Sequence, residues 1–431
     1  MKRVFKIVLL SILFFVAFRI GFRTPLDPIL FIVEGVLSGL MIMFMAFRVI
    51  QFLSKKEPVS SLEAMLLAMF IFPFWAAFSA YYEYGQPLFY GIATQRSFFL
   101  YLSALFVFYL LKYRVITTKD IQTSFLATAW VSMAIFIVTA NFINPEQYFK
   151  TIFIGYNELK GGYIFKFVIT LIVFAFLFYV IKYFITRKTY YLLLAAPHFY
   201  YMTFVRQDRS TILVAMITLL LFFLFEIYKK ARFKYFLYTF MVIGVLFSVV
   251  ALSGYTPDPV TIEKYNNIWL TVTGQETTEN STNLRRIQTL MVWPDILRSP
   301  LFGNGELSLK WEGGFARVYG YFYPTDIGIV GEMFIYGFLG TFLINAQFIF
   351  AFWLIKRMRR DIKDAFQQTC IYFLVICFFD SLTAGQTVFY AANSVVMIAI
   401  IYSYYHLQKV EQVRIKQNAL STHQTFKRVQ I

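Results

Sequence analysis

Long apolar blocks alternate with short charged segments along almost the whole of this chain. About 20 consecutive apolar residues cross a bilayer as a helix. Reading with that window predicts twelve spans, at residues 4–20, 29–50, 62–82, 96–113, 120–142, 163–185, 189–205, 210–228, 234–252, 326–355, 365–382 and 385–406. The seventh is short and carries Pro197 and His198. The first follows a basic start, Met1-Lys-Arg, as a secretory signal does. Arg19-Ile-Gly-Phe-Arg23 stands where a small-x-small cleavage site belongs, so this segment reads as an uncleaved membrane helix. The pattern divides the chain into nine spans over 1–252, a large polar loop over 253–325, three spans over 326–406 and a basic tail over 407–431.

The large loop is too long to be a simple connection, and its aromatics (Trp269, Trp293, Trp311, Tyr319, Tyr321, Phe322, Tyr323) are not those of a disordered segment. Within it, Thr282 to Leu297 reads as an amphipathic helix with Leu284, Ile287 and Met291 on one face. Pro300 and Gly303-Asn-Gly305 then reverse the chain.

Composition agrees with the pattern. The 431 residues are 59% hydrophobic, 21% aromatic and only 15% charged, whereas a soluble domain carries about 25% charged residues. The predicted fold class is an all-α polytopic membrane protein. Its net charge of +17 suggests nucleic acid until the charges are placed. With the N-terminus inside, every inside segment is basic: Lys2, Arg3 and Lys6; Lys55 and Lys56; Lys112, Arg114 and Lys119; Lys182, Arg187 and Lys188; Lys229 to Lys234; Lys356 to Lys363; and the tail. That is the positive-inside rule. It puts the 253–325 loop outside, between spans nine and ten, and leaves nucleic-acid binding without support. Two six-helix halves joined by a cytoplasmic loop, the common transporter plan, do not fit. Cys370 and Cys377 lie on one helix face, where no bridge between them is expected, and His198, His406 and His423 form no metal cluster.

Ionisable residues at a membrane need a reason. Arg206 and Arg209 flank Asp208 in an outside hairpin; they serve either as interfacial anchors or as a fork for an anionic head group. Arg285 and Arg286 are a second cationic pair, on a solvated helix face or facing a site; neighbours on a helix point about 100° apart, so one of the two faces any cavity. Asp326, after Pro324, opens the tenth span as an N-cap or acts as a general base. Glu306 and Glu332 are further acidic candidates, while Glu34, Glu63, Asp380 and Asn393 carry no assignment. Trp311, Tyr319 and Tyr321 could stack on sugar rings, the alternative being an interfacial aromatic belt.

The order of these features resembles the O-antigen polymerase and O-antigen ligase superfamily. The motifs that carry the resemblance lie in residues 190–345. Arg209-Ser210 is similar to the family's Arg-Ser motif at the start of a span, and Arg286, or Arg285, to its arginine on a loop helix. Pro300, Gly303 and Gly305 match a Pro-x-x-Gly-x-Gly turn. Asp326-Ile327, nine residues, then Gly337-Phe-Leu-Gly340 keep the spacing of the ligase His-Asn and Gly-x-x-Gly motifs, with Asp in place of His. That departure leans toward a polymerase. Arg317, ten residues before Gly328, resembles an Arg-x10-Gly pattern of some polymerases.

The resemblance implies a GT-C-like glycosyltransferase of the bacterial inner membrane with its active site facing the periplasm. Donor and acceptor are undecaprenyl-diphosphate-linked oligosaccharides, and a chain-length regulator is an implied partner. Arg206, Arg209, Arg285 and Arg286 would hold the diphosphate, Asp326 would accept the proton, and Arg317, Trp311, Tyr319, Tyr321 and Glu306 would contact glycan. Direct displacement inverts the anomeric centre. No cofactor and no metal are expected, the latter because no Asp-x-Asp or His/Cys cluster is placed for one. The competing expectations are an O-antigen ligase, a peptidoglycan polymerase of the shape and division family, and a lipid-linked glycan flippase.

Overall fold

The computed structural model describes residues 2–22, 24–55, 59–144, 154–157, 162–206, 209–227, 280–385 and 390–429. The described chain is helical apart from one short hairpin. In order, its elements are α1 (Lys2–Ala17), α2 (Asp27–Lys55), α3 (Ser61–Met69), α4 (Phe72–Tyr84), α5 (Leu88–Thr94), a 3-10 segment (Gln95–Leu102), α6 (Ser103–Lys112) and α7 (Thr118–Phe142). The strands β1 (Ile154–Asn157) and β2 (Gly162–Phe165) pair antiparallel. Then come α8 (Thr170–Thr186), α9 (Tyr190–Tyr200) with a π turn (Tyr201–Arg206), and α10 (Arg209–Phe222) with a second π turn (Phe223–Ile227). The last group is α11 (Asn280–Arg298), α12 (Phe315–Tyr319), a 3-10 turn (Pro324–Ile327), α13 (Ile329–Arg357), α14 (Ala365–Ala384) and α15 (Ala391–Val429).

Six helical stretches among the described residues are long and apolar enough to cross a membrane: Asp27–Ser54, Ser61–Tyr84, Leu88–Lys112, Thr118–Phe142, Ile329–Arg357 and Ala365–Thr383. The shorter apolar helices Thr170–Thr186 and Ser210–Glu226 join them. The chain is a helical membrane protein. The predicted ninth span, 234–252, lies outside the described residues, and the polar tail continues α15 as helix.

Local sequence explains where the helices begin. Ser60 with Glu63, and Thr117 with Asp120, close capping boxes at α3 and α7. Helix α8 is apolar on every side and is therefore buried on every side. At its centre Phe174 meets Phe125 of α7 at 5.1 Å, and Phe366 and Phe373 of α14 at 5.9 and 5.4 Å. Edge-on ring pairs of this kind add to the burial energy. Cys370 and Cys377 are both free and buried, as their spacing suggests.

Two expectations about the large loop change. Residues 280–298 do form a helix, but its buried face is Gln288, Val292 and Ile296. Leu284 and Ile287 are exposed, with Leu290, Trp293 and Leu297 completing an outward apolar stripe. Asp326 is not the cap of the span: it lies in the 3-10 turn, and Gly328 is the N-cap of α13.

Candidate functional site

The polar end of the bundle is organised by the turn Pro300-Leu-Phe-Gly-Asn-Gly305. It is clamped between α4 and a break in α13. Gly337 holds φ +67° and ψ −179° in the middle of α13, which frees carbonyl groups inside an apolar helix. Free carbonyls in a membrane interior must find donors. The Asn304 amide donates to Phe334 O at 2.7 Å and the Gly305 amide to Ile335 O at 3.0 Å, while the Phe338 amide donates to Pro300 O at 2.7 Å. From the other side, Trp75 Nε1 and Ser79 Oγ donate to Phe302 O at 2.8 and 3.2 Å. The glycines are required because backbone passes on both faces: a Cβ at Gly303 would lie 2.4 Å from Gly337 N, and one at Gly305 would lie 2.2 Å from Ala80 N.

The same end pins α11. Arg298 pairs with Glu83 at 3.3 Å and with Asp295 at 3.4 Å, and Ser299 Oγ donates to Glu83 Oε1 at 2.9 Å. Tyr319 OH donates to Asp295 Oδ2 at 2.6 Å and lies 3.3 Å from Tyr84 OH. Burial, with Asp295 and Tyr84 beside it, holds the Tyr319 phenol protonated far above its ordinary range. Beside this anchor a cavity of about 740 Å³ runs along α4, lined by Phe74, Trp75, Phe78 and Phe302, with Glu83 and Arg298 also in its wall.

The anchored α11 carries Arg285 and Arg286 at its far end, both exposed. Its Gln288 side chain accepts from the Tyr323 amide at 3.5 Å, which brings the 3-10 turn alongside. Tyr321, next to this link, senses charges from both elements. Burial raises its pKa first, then the charge of Asp326 and the nearby Tyr323, with Arg285 opposing. Arg285 and Asp326 each act on Tyr321 through their charge.

The other predicted residues lie elsewhere. Arg206 Nε donates to Phe167 O at 3.2 Å, holding the π turn to the start of α8. Arg209 opens α10, and its side chain is outside the described residues, as is Asp208. Arg317 is exposed, ion-paired with Glu312 and 5.6 Å from the centre of the Trp311 ring. Tyr319 is committed to the anchor. Of the aromatics named as glycan contacts, Tyr321 is the exposed one. Glu332 is buried in the first turn of α13, where Asn345 Nδ2 donates to it at 2.8 Å and Ser381 Oγ donates to Asn345 Oδ1 at 2.7 Å, joining α13 to α14.

The structure adds a polar cluster that sequence reasoning did not assemble. Gly305 delivers Glu306 against Gln95, whose Nε2 donates to Glu306 Oε2. Gln95 Oε1 in turn accepts from Tyr336 OH at 3.1 Å. Gln86 Nε2 donates to Glu306 O at 3.1 Å, and the Ser308 amide donates to Gln86 Oε1 at 2.7 Å. Arg19 and Glu34 pair at 3.0 Å and are 8% and 2% exposed. Arg96 stands over the Phe31 ring at 3.7 Å. Burial pushes the Glu306 carboxyl up to about 7, against the Arg19 and Arg96 charges, which favour the ionised form. The available signal in the sequence was Glu34 inside an apolar run.

This cluster supplies one stability prediction. Arg19→Ala leaves Glu34 buried without its partner, and breaking a buried pair from one side costs about 3–5 kcal/mol. The purified variant should melt well below wild type in detergent; an unchanged melting temperature would show that the pair does not hold α1 to α2.

Among the described residues, no group of three His, Cys, Asp or Glu is close enough to hold a metal ion. No protein-family model, curated protein or solved structure matches this chain.

Proposed function

We propose that this protein is a membrane glycosyltransferase that polymerises surface polysaccharide from polyprenyl-diphosphate-linked repeat units. The observation that carries the reading is a loop helix with Arg285 and Arg286 exposed at one end and clamped at the other beside a broken apolar helix. It adds to the motif order that resembles the O-antigen polymerase and ligase superfamily. On this reading the chain has twelve spans, sits in a bacterial inner membrane and works on the periplasmic side. It is inverting and metal-independent and uses no cofactor.

The chemistry follows from the charges. Departure of the polyprenyl diphosphate builds negative charge near the membrane surface. Fixed guanidinium groups stabilise that charge most where water is scarce. Arg285 and Arg286 fill this role, with Arg206 and Arg209 as the further cationic candidates. The outward stripe of Leu284, Ile287, Leu290, Trp293 and Leu297 suits a helix lying in the headgroup layer, the depth at which the diphosphate sits. The aromatic-lined cavity beside α4 has room for part of a prenyl chain. The spacing of the motifs nominates Asp326 as proton acceptor for the attacking sugar hydroxyl.

The test is gel analysis of surface polysaccharide in a strain lacking the protein. A polymerase deletion leaves single repeat units on the surface in place of the ladder. Loss of all repeat units marks a ligase instead, and an unchanged ladder rejects the glycosyl-transfer reading.

A further inference from the structure

The cavity beside α4 is a trough with an apolar wall and a charged rim. Ile71, Phe74, Trp75, Phe78, Ser79 and Tyr82 line one side, and their spacing of three and four residues makes them one face of a helix. The chain from Arg298 to Gly303 forms the other side, with the Phe302 ring 5.3 Å from that of Trp75. Away from the rim, the side-chain donors of the wall are Trp75 Nε1 and Ser79 Oγ, and both go to Phe302 O. The trough also follows a membrane span. Helix α4 is the second half of the apolar stretch Ser61–Tyr84, so Ile71 lies near mid-span and Glu83 at its end. From Ile71 to Glu83 the helix rises about 18 Å, a little more than half of a hydrocarbon core about 30 Å thick. Water finds no polar partners along such a wall, whereas a lipid chain of one leaflet has the matching length.

The rim decides which lipid stays, because a tail entering the trough only exchanges one apolar medium for another. At the rim, Arg298 contacts Glu83 Oε2 at 3.3 Å and Asp295 Oδ1 at 3.4 Å, both through Nη2. Its Nε and Nη1 make no hydrogen bond among the described residues, and its side chain is 59% exposed. Glu83 Oε1 accepts from Ser299 Oγ at 2.9 Å, and Asp295 Oδ2 accepts from Tyr319 OH at 2.6 Å. Two carboxylates thus stand against one guanidinium, and the rim is net negative. Such a rim disfavours a diphosphate, although a volume of about 740 Å³ admits part of a prenyl chain. It suits a head that carries both signs. A phosphate meets the remaining guanidinium nitrogens, and a primary ammonium, with three donors, meets the carboxylate oxygens.

We propose that the trough between α4 and the 298–303 turn holds one acyl chain of a zwitterionic aminophospholipid, its phosphate on Arg298 and its primary ammonium on Glu83 and Asp295. The assignment does not depend on the glycosyl-transfer reading. The bound head bridges Glu83 of α4 to Arg298 of α11, the pair that anchors the loop helix to the bundle. A ligand that binds only the folded state stabilises it by mass action, so this lipid raises the melting temperature. The aminophospholipid content of the membrane then sets how firmly α11 is held.

The test titrates the full-length protein in mild detergent with phosphatidylethanolamine, phosphatidylcholine and phosphatidylglycerol of identical chains, and separately with undecaprenyl diphosphate. Bound lipid is read by native mass spectrometry and stability by thermal melting. Phosphatidylethanolamine should bind about tenfold more tightly than either other phospholipid, the worth of one charged hydrogen bond, and should raise the melting temperature most. Phosphatidylcholine has the same net charge without the N–H donors, and phosphatidylglycerol has the phosphate without the ammonium. Glu83→Gln keeps the size of the side chain and removes one negative charge, so the preference over phosphatidylglycerol should fall by about tenfold. Arg298→Gln should weaken all three phospholipids. Brominated acyl chains should quench Trp75, seen as the quenching that Trp75→Phe removes. Equal binding of the three phospholipids by wild type overturns the assignment by itself, whatever the variants do to folding. Tightest retention of undecaprenyl diphosphate overturns it in favour of a substrate path. Quenching that Trp75→Phe leaves unchanged places the lipid elsewhere and overturns it too, as does the absence of any retained lipid.

Discussion

Gly305→Val should leave almost no folded protein in the membrane. The Cβ alone would lie 2.2 Å from Ala80 N and 2.4 Å from Ala76 O. These are backbone atoms of α4, so no side chain can swing aside. The residue also holds φ +80°, where a β-branched side chain is strained by about 1–2 kcal/mol. Backing the turn away from α4 presses it into the break of α13 and endangers the hydrogen bonds from Asn304 and Gly305 to Phe334 O and Ile335 O. Each buried carbonyl left unpaired costs about 1–3 kcal/mol. Overpacking adds about 1–3 kcal/mol more. Together these approach the whole stability of a typical domain, about 5–15 kcal/mol. Gly313→Ala is the matched control. Gly313 has a similar φ, +83°, but nothing within 4 Å of its Cβ position, so it tests the dihedral without the clash and should cost about 1–2 kcal/mol. Membrane-fraction immunoblots and melting in detergent separate the two. Equal levels and equal melting temperatures for Gly305→Val and Gly313→Ala would show that the clamp does not hold the loop.

The second large effect is on activity with the fold intact. The Arg285→Ala, Arg286→Ala double variant should accumulate normally and fail to lengthen chains. Both side chains are exposed, and α11 is anchored at its other end by Asp295, Arg298 and Ser299. Their removal therefore costs little stability. If they meet the leaving diphosphate, the loss is of transition-state charge stabilisation, about 10²–10³-fold in rate per donor removed. The single variants assign the role, since neighbouring helix positions diverge by about 100°. Arg285 shares the surroundings of Tyr321 with Asp326 and should be the more damaging of the two. Full-length polymer in the double variant would remove α11 from the site.

The pH behaviour of Glu306 carries a stability consequence. Its folded pKa is raised from 4.5 to about 7, so the folded state prefers the proton. The stabilising share is complete below the unfolded value and is lost as pH rises through about 7.

Much was legible in the linear pattern. Span lengths place α2, α7, α13 and α14 within a few residues, because the bilayer sets a minimum apolar run. The helix at 280–298 follows from its periodicity, and the small-residue turn at Gly303-Asn-Gly305 marks a close approach of backbones.

Tertiary structure decided the rest, for two physical reasons. First, lipid is as apolar as a protein interior, so apolar periodicity locates a stripe without telling which way it faces. That is why Leu284 and Ile287 point outward while Gln288, Val292 and Ile296 are covered. It is also why the break at Gly337 is invisible within an unbroken apolar run until the 300–305 turn supplies donors for the carbonyls it frees. Second, a buried charge is stabilised by whatever partner folding brings to it, and those partners are remote in sequence. Arg19, in the turn after the first helix, pairs with Glu34 of the second, and Gln95, after the fifth, holds Glu306 beyond the eleventh. Sequence alone determined a helical membrane protein with a basic loop helix; three-dimensional packing determined which of its acids are buried and which partners hold them.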